Sequence, residues 1–114
     1  MNATYVQRGE YIDYVPAADV NAGDVIVQGH LVGVSKLDIK SGELGAIATT
    51  GVFDIVKDSN AISLGALVYW TGEKATASAD NGQTGEAKVE YVKIGKAIGA
   101  AAAGDASVRV LLNV

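Results

Sequence analysis

The sequence predicts an all-β fold in one small domain, and a repeated glycine phrase is the main reason. The phrase occurs at residues 22–27, 41–46, 64–69 and 103–108. Each copy begins with a small residue or Leu, continues with a glycine and then an acid or alanine, and ends in a largely apolar run. Glycine suits tight turns because it adopts positive φ at no steric cost. A chain of 114 residues that repeatedly turns and then extends is typical of a single domain of short strands.

The glycines and acids of these phrases are predicted to be structural turn residues. In the first three phrases an apolar residue lies three or four positions before the glycine, at Val20, Ile39 and Ile62. Acidic side chains beside turns can bond backbone amides. The predicted turn residues are Gly23, Asp24, Gly42, Glu43, Gly65, Gly104 and Asp105.

The first half of the chain divides into a polar arm and several apolar runs. Residues 1–9 have no apolar period, so we predict a flexible arm ahead of a single β domain at residues 10–114. Aromatic and β-branched residues favour a strand over residues 10–15, which Pro16 ends. Residues 24–28 and 31–35 predict a hairpin around Gly29.

Later runs continue the same pattern. Residues 44–50 and 52–56 are apolar on either side of Gly51, and residues 66–71 and 75–78 flank a plausible hairpin tip. Residues 79–88 are polar and predict a mobile surface loop. Strands are predicted within residues 89–99 and over 107–112. The alanine-rich stretch 98–103 leaves two options, strand-or-loop or a single helical turn, and we favour the first because glycines bracket it.

Composition excludes several classes of protein. There is no cysteine, so neither a disulfide nor a thiolate metal site is available. The net charge is −4 and the nine basic residues are scattered, whereas nucleic-acid binders usually show a basic stripe. No stretch is long enough for a membrane span, and the first ten residues lack a signal-peptide core. We therefore expect no nucleic-acid or membrane partner, and the absence of cysteine is compatible with a bacterial cytosol or a virus assembled there.

Catalytic motifs are missing from the chain. The phosphate-binding Gly-x-x-x-x-Gly-Lys-Ser/Thr pattern and Gly-x-Gly-x-x-Gly do not occur, and the single histidine, His30, lies in a predicted turn. Two of the many carboxylates could form an acid/base pair or a cation site, but turn chemistry explains most of them. We predict no catalytic residue, no metal and no cofactor.

Self-association is predicted from the apolar content. Ala, Val, Ile and Leu dominate the 49% of residues that are hydrophobic, which is more than one small domain usually hides. The only tryptophan, Trp70, ends an apolar run. It is equally suited to filling the core and to anchoring an interface.

An ordered set of segments resembles a small phage and prophage family whose members are called capsid cement or decoration proteins. The set comprises residues 11–16, 22–27, 42–46, 51–54, 67–70 and 101–110. Some members carry a RecA/RadA-type recombinase label, which the missing nucleotide-binding loop argues against. The resemblance implies a small β protein on the exterior of an assembled head, often a trimer. The turn phrase also resembles β-clip domains of lambda-type head-stabilising proteins, with a small β-barrel of that type or a jelly roll as the expected topology.

The resemblance implies a binding role. The expected partners are the major capsid protein and further copies of the chain, as a homotrimer or a dimer. We hypothesise that the arm orders on the capsid and adds a strand to an exposed edge. A carbohydrate- or receptor-binding module, which needs exposed aromatic residues in one groove, is the alternative, and a carboxylate hydrolase comes third. The candidate arm residues are Asn2, Thr4, Tyr5, Gln7 and Arg8.

Overall fold

The computed structural model describes residues 2–114, and these form nine strands. One 3₁₀ turn, Gly85–Ala87, interrupts the connection before β8. The elements are short, as the closely spaced glycines predict. They are β1 Tyr11–Tyr14, β2 Val25–Gln28, β3 Leu31–Ser35, β4 Gly45–Ala48, β5 Val52–Val56, β6 Leu67–Trp70, β7 Ala75–Thr76, β8 Val92–Ala97 and β9 Ser107–Leu112.

The strands form two antiparallel sheets. The first has the order β1-β4-β3-β2, and its hairpin β2–β3 pairs Gln28 with Leu31 around the predicted turn. The second has the order β5-β9-β8-β6-β7, in which β6 and β7 form the other predicted hairpin. The apolar runs on either side of Gly51 therefore belong to different sheets rather than to each other.

The two edges of the five-stranded sheet approach each other at one end. Lys57, just after β5, forms an isolated parallel bridge with Ala75 of β7. The amide of Asp58 donates to the carbonyl of Ala75 at 3.0 Å. The bridge is not continued as a ladder, and among residues 2–114 the strands form two sheets and no closed barrel.

The repeated glycine phrase folds into a turn with the same hydrogen bond four times. In each phrase the residue after the glycine donates its amide to the carbonyl three positions back, at 3.0 or 3.1 Å. Gly23, Gly42 and Gly65 have the positive φ of a type II turn, whereas Gly104 does not. Three positions before each glycine lies a buried residue, and these pair as antiparallel bridges, Val20 with Ile39 and Ile62 with Ala101.

The first bridge is held by reciprocal carboxylates. Asp19 accepts a hydrogen bond from the amide of Ser41, and Asp38 accepts one from the amide of Ala22, each at 2.8 Å. Each acid thus satisfies a backbone donor in the opposite turn. In the second bridge the equivalent positions are alanines, Ala61 and Ala100.

Two apolar clusters lie on opposite faces of the four-stranded sheet. Val32 and Val34 of β3 face the second sheet and join the larger cluster with residues such as Ile62, Val68 and Val110. Ile47 of β4 faces the other way, into a smaller cluster that includes Val20 and Ile39. At Gly33 the neighbouring strand leaves no room, since a Cβ there would lie 2.5 Å from Ile47 Cδ1.

The all-β class is confirmed, and the architecture is consistent with a β-clip or a sandwich. The last strand has the predicted bounds. Residues 98–103 contain a bend, the Ala101 bridge and a turn, so the strand-or-loop option is the right one. Tertiary pairing with Ile62 fixes this stretch more strongly than the helix propensity of its alanines.

Candidate functional site

The N-terminal arm leaves the body at a fixed point. Thr49, just after β4, donates its amide to the carbonyl of Glu10 at 2.9 Å and its hydroxyl to the carbonyl of Gly9. Gln7 donates to the carbonyl of Tyr11 at 2.8 Å. These bonds hold residues 7–10 along the start of β1, and no strand begins before Tyr11 in the described chain.

Every described residue of the arm is exposed. Tyr5 is 81% exposed and Val6 is 84% exposed, so a large apolar pair faces solvent. Asn2, Thr4, Gln7 and Arg8 surround that pair. Met1, the first residue of the predicted arm, lies outside the described residues. The arm thus presents polar, apolar and cationic groups together at the surface.

An open cleft of about 690 Å³ separates the two sheets along one side. Its walls are the edge strands β2 and β5, and Trp70 of β6 and Val34 of β3 contribute to it. Two runs of four consecutive residues line it, 23–26 and 53–56. Successive side chains of a strand point to opposite faces, so consecutive lining residues mean that the strands turn their backbone edges toward the cleft.

Charge in the cleft is of one sign. Asp24, Asp54 and Glu73 line it, and no Lys, Arg or His is among its described lining residues. Arg109, on the outer face of β9, binds both carboxylate oxygens of Asp54, at 2.9 and 3.1 Å. The hydrogen bond from Arg109 lowers the pKa of Asp54 below its ordinary value. Asp54 is therefore ionised throughout the neutral range.

Trp70 packs in the core and also reaches the surface of the cleft. It is half-buried and packs against the larger apolar cluster, and it also lines the cleft. A shallower groove of about 310 Å³ continues on its other side and shares Val25, Trp70 and Gly72 with the cleft. Trp70 therefore packs against the core and also lines both the cleft and the shallower groove.

Phe53 lines the cleft together with Trp70, but the tyrosines do not converge on one groove. Tyr91 lines the shallower groove with Trp70. Tyr14 packs into the smaller cluster, and Tyr5 is in the arm. Tyr11 accepts a hydrogen bond from Lys36 at 2.7 Å on the far edge of the first sheet, and this bond raises the pKa of Lys36.

Four aspartates near the glycine turns accept hydrogen bonds from backbone amides. Besides Asp19 and Asp38, Asp24 accepts from the amide of Asn21 at 2.9 Å, and Asp105 accepts from that of Ala102 at 2.8 Å. Within residues 2–114 no group of three or more His, Cys, Asp or Glu side chains could hold a metal ion. His30 is exposed in the β2–β3 turn.

Comparison with protein families decides the identity. Residues 6–112 match the phage cement protein family, which is nearly the whole chain. The chain belongs to this family. No curated protein and no solved structure matches it. A phage cement protein is a structural protein associated with the virion capsid. Across residues 2–114 of this cement protein, no helix has the length and apolar character needed to cross a membrane.

Two features of this cement protein escaped sequence reasoning. The cleft arises where edges of two sheets meet, and strand order cannot be read from short apolar runs. The buried Lys57, only 4% exposed, resembles any polar turn residue in sequence. The sequence nevertheless contains a sign that Lys57 is buried, because Lys57 continues the alternation of the inward-facing Phe53 and Ile55.

Proposed function

We propose that this cement protein binds the outer surface of the assembled head and stabilises it through non-covalent contacts, with the major capsid protein as its partner. Family membership over residues 6–112 is the observation that carries the proposal. The exposed arm supports it, because an arm that makes few contacts with its own body is free to contact another protein. Such a role requires no catalytic group.

The arm is the first contact with the shell in this proposal. Residues 2–8 order on the capsid and add a strand to an exposed sheet edge, where backbone hydrogen bonds provide affinity. Tyr5 and Val6 supply the apolar area that is exposed in the free protein. Arg8 provides one positive charge beside them.

Self-association raises the strength of binding. A homotrimer places three arms on one local area of the shell, and a dimer places two. Once one arm is bound, the others bind at high effective concentration. Modest affinity per copy then gives stable attachment. The protein is made in the host cytoplasm, where the heads it binds also assemble.

Removing the arm tests this function. Deletion of residues 1–9 is expected to reduce binding to expanded heads by at least about tenfold, since the arm's apolar contacts and strand pairing are both lost. Binding is measured by co-sedimentation with heads that lack the protein. The thermal melt should stay close to that of the full chain, because the two apolar clusters do not include residues 2–9.

A matched pair of substitutions separates specific contacts from general ones. Tyr5→Ala should weaken binding to the heads, whereas Glu86→Ala, an equally exposed site in the 3₁₀ turn, should not. Full binding by the folded deletion variant would remove the arm from the mechanism.

A further inference from the structure

We propose that the cleft between β2 and β5 receives an extended, cationic and apolar segment of the major capsid protein. This inference rests on the proposed function, which supplies the source of the segment. It assigns a second contact with the shell, separate from the arm. The cleft's shape, free backbone groups and charge each point to the same kind of partner.

The edges of the cleft carry unpaired backbone groups. The amide of Lys57 donates to the carbonyl of Ala106, and that of Leu112 donates to the carbonyl of Gly51. Because antiparallel pairing alternates, the odd-numbered residues of β5 bond β9, and the amides of Asp54 and Val56 point to the open edge.

The β2 edge has the same arrangement. Ser35 donates its amide to the carbonyl of Asp24, so the backbone groups of Val25 and Val27 point away from β3. Both strands lie at the ends of their sheets. A peptide in extended conformation can therefore add to either edge.

The surface between these edges selects for apolar side chains. Val25, Ile26, Val34, Phe53 and Trp70 line the cleft. The shallower groove prolongs this surface past Trp70 to Val27 on the same edge strand. An elongated apolar surface beside a free strand edge fits an extended segment better than a compact ligand.

The charges of the cleft select for lysine or arginine. Three acidic residues, Asp24, Asp54 and Glu73, line the cleft, and no cationic residue is among its described lining residues. Arg109 compensates Asp54, and the Asp24 carboxylate bonds the amide of Asn21. The exposed Glu73, just beyond Trp70, is therefore the main group left for a positive charge on the partner.

Charge reversal at this residue tests the inference on expanded heads. Glu73→Lys should weaken binding about three- to tenfold at low salt, and the loss should shrink as salt is added. Glu86→Lys makes the same change in net charge on the 3₁₀ turn and should leave binding unchanged. A thermal melt of each variant checks that it is folded.

Cross-linking identifies the occupant. The chain has no cysteine, so Val56→Cys, on the wall of the cleft, provides one attachment site for a benzophenone label and leaves Glu73 in place. On heads it should cross-link to a Lys- or Arg-containing segment of the capsid protein, and label at Glu86→Cys should not. Cross-links to residues 2–9 of another copy would instead assign the cleft to the arm and overturn the inference.

The remaining outcomes distinguish the two proposals. If the wild type binds heads and Glu73→Lys binds equally well at low salt, the cleft is excluded and the proposed function stands. If the wild type does not bind heads, the proposed function fails, and the assigned source of the segment fails with it.

Discussion

Lys57 shows how one side chain secures an irregular part of this fold. Its ammonium donates to the carbonyls of Asp58 at 2.9 Å and Ala102 at 3.0 Å, with longer bonds of 3.4 Å to Ala103 and Asp105. It therefore ties the fourth glycine turn to the end of β5. A buried cation is tolerated here because backbone dipoles replace the water that it loses.

Lys57→Met should destabilise the protein by about 1–3 kcal/mol, because it removes the shared donor from several carbonyls while keeping much of the side-chain volume. The free energy of unfolding is measured by urea denaturation. Lys96→Met, at an exposed position of β8, is the control and should have little effect. Equal stability of the two variants would contradict this prediction, because it would show that water replaces the ammonium as hydrogen-bond donor to these carbonyls at no cost.

At the scale of elements, the glycine turns work in pairs. Asp19 and Asp38 each cap the partner turn, so both turns depend on the same bridge between Val20 and Ile39. The second pair of turns lacks these acids and gains Lys57 instead. The two pairs of turns thus share one backbone arrangement but are stabilised by different side chains.

Asp38→Ala should cost about 1 kcal/mol, since one hydrogen bond from a backbone amide to a carboxylate is lost at the surface. Thermal melts or urea unfolding can measure this loss. Asp13→Ala, which removes an exposed acid from β1, is the matched control. A loss at Asp13 as large as that at Asp38 would mean that general charge effects outweigh the cap.

Sequence alone predicted the elements better than their partners. Glycine-marked turns and β-branched runs located both hairpins and the final strand, because these signals are local. The pairing of Ile62 with Ala101 is long-range, and alanine gives little sign of burial, so the fourth bridge residue was missed. The cleft could not be predicted because it depends on the order of strands in two sheets.

For the whole molecule, exposed apolar surface supports the expected self-association. Leu37 is 76% exposed and Leu44 is 69% exposed, and both line an open groove at the side of the first sheet. Exposed apolar area of this kind is a common property of chains that assemble.

Analytical ultracentrifugation should therefore detect trimers or dimers at high protein concentration, because association removes apolar area from water. The arm-deleted protein is the comparison, since it shows whether association requires residues 1–9. A monomer at every concentration would restrict assembly to the surface of the head.

The bonds from Thr49 to Gly9 and Glu10 have a geometric consequence. They set the origin of a short tether whose free part, even fully extended over residues 2–8, spans only about 24 Å. In the proposed attachment, once the body is bound to the head, the tip of the arm samples a small hemisphere instead of bulk solution, and its rebinding after each detachment is correspondingly fast. Lengthening this tether with glycine and serine would lower the local concentration of its tip and slow rebinding, while leaving every contact surface unchanged.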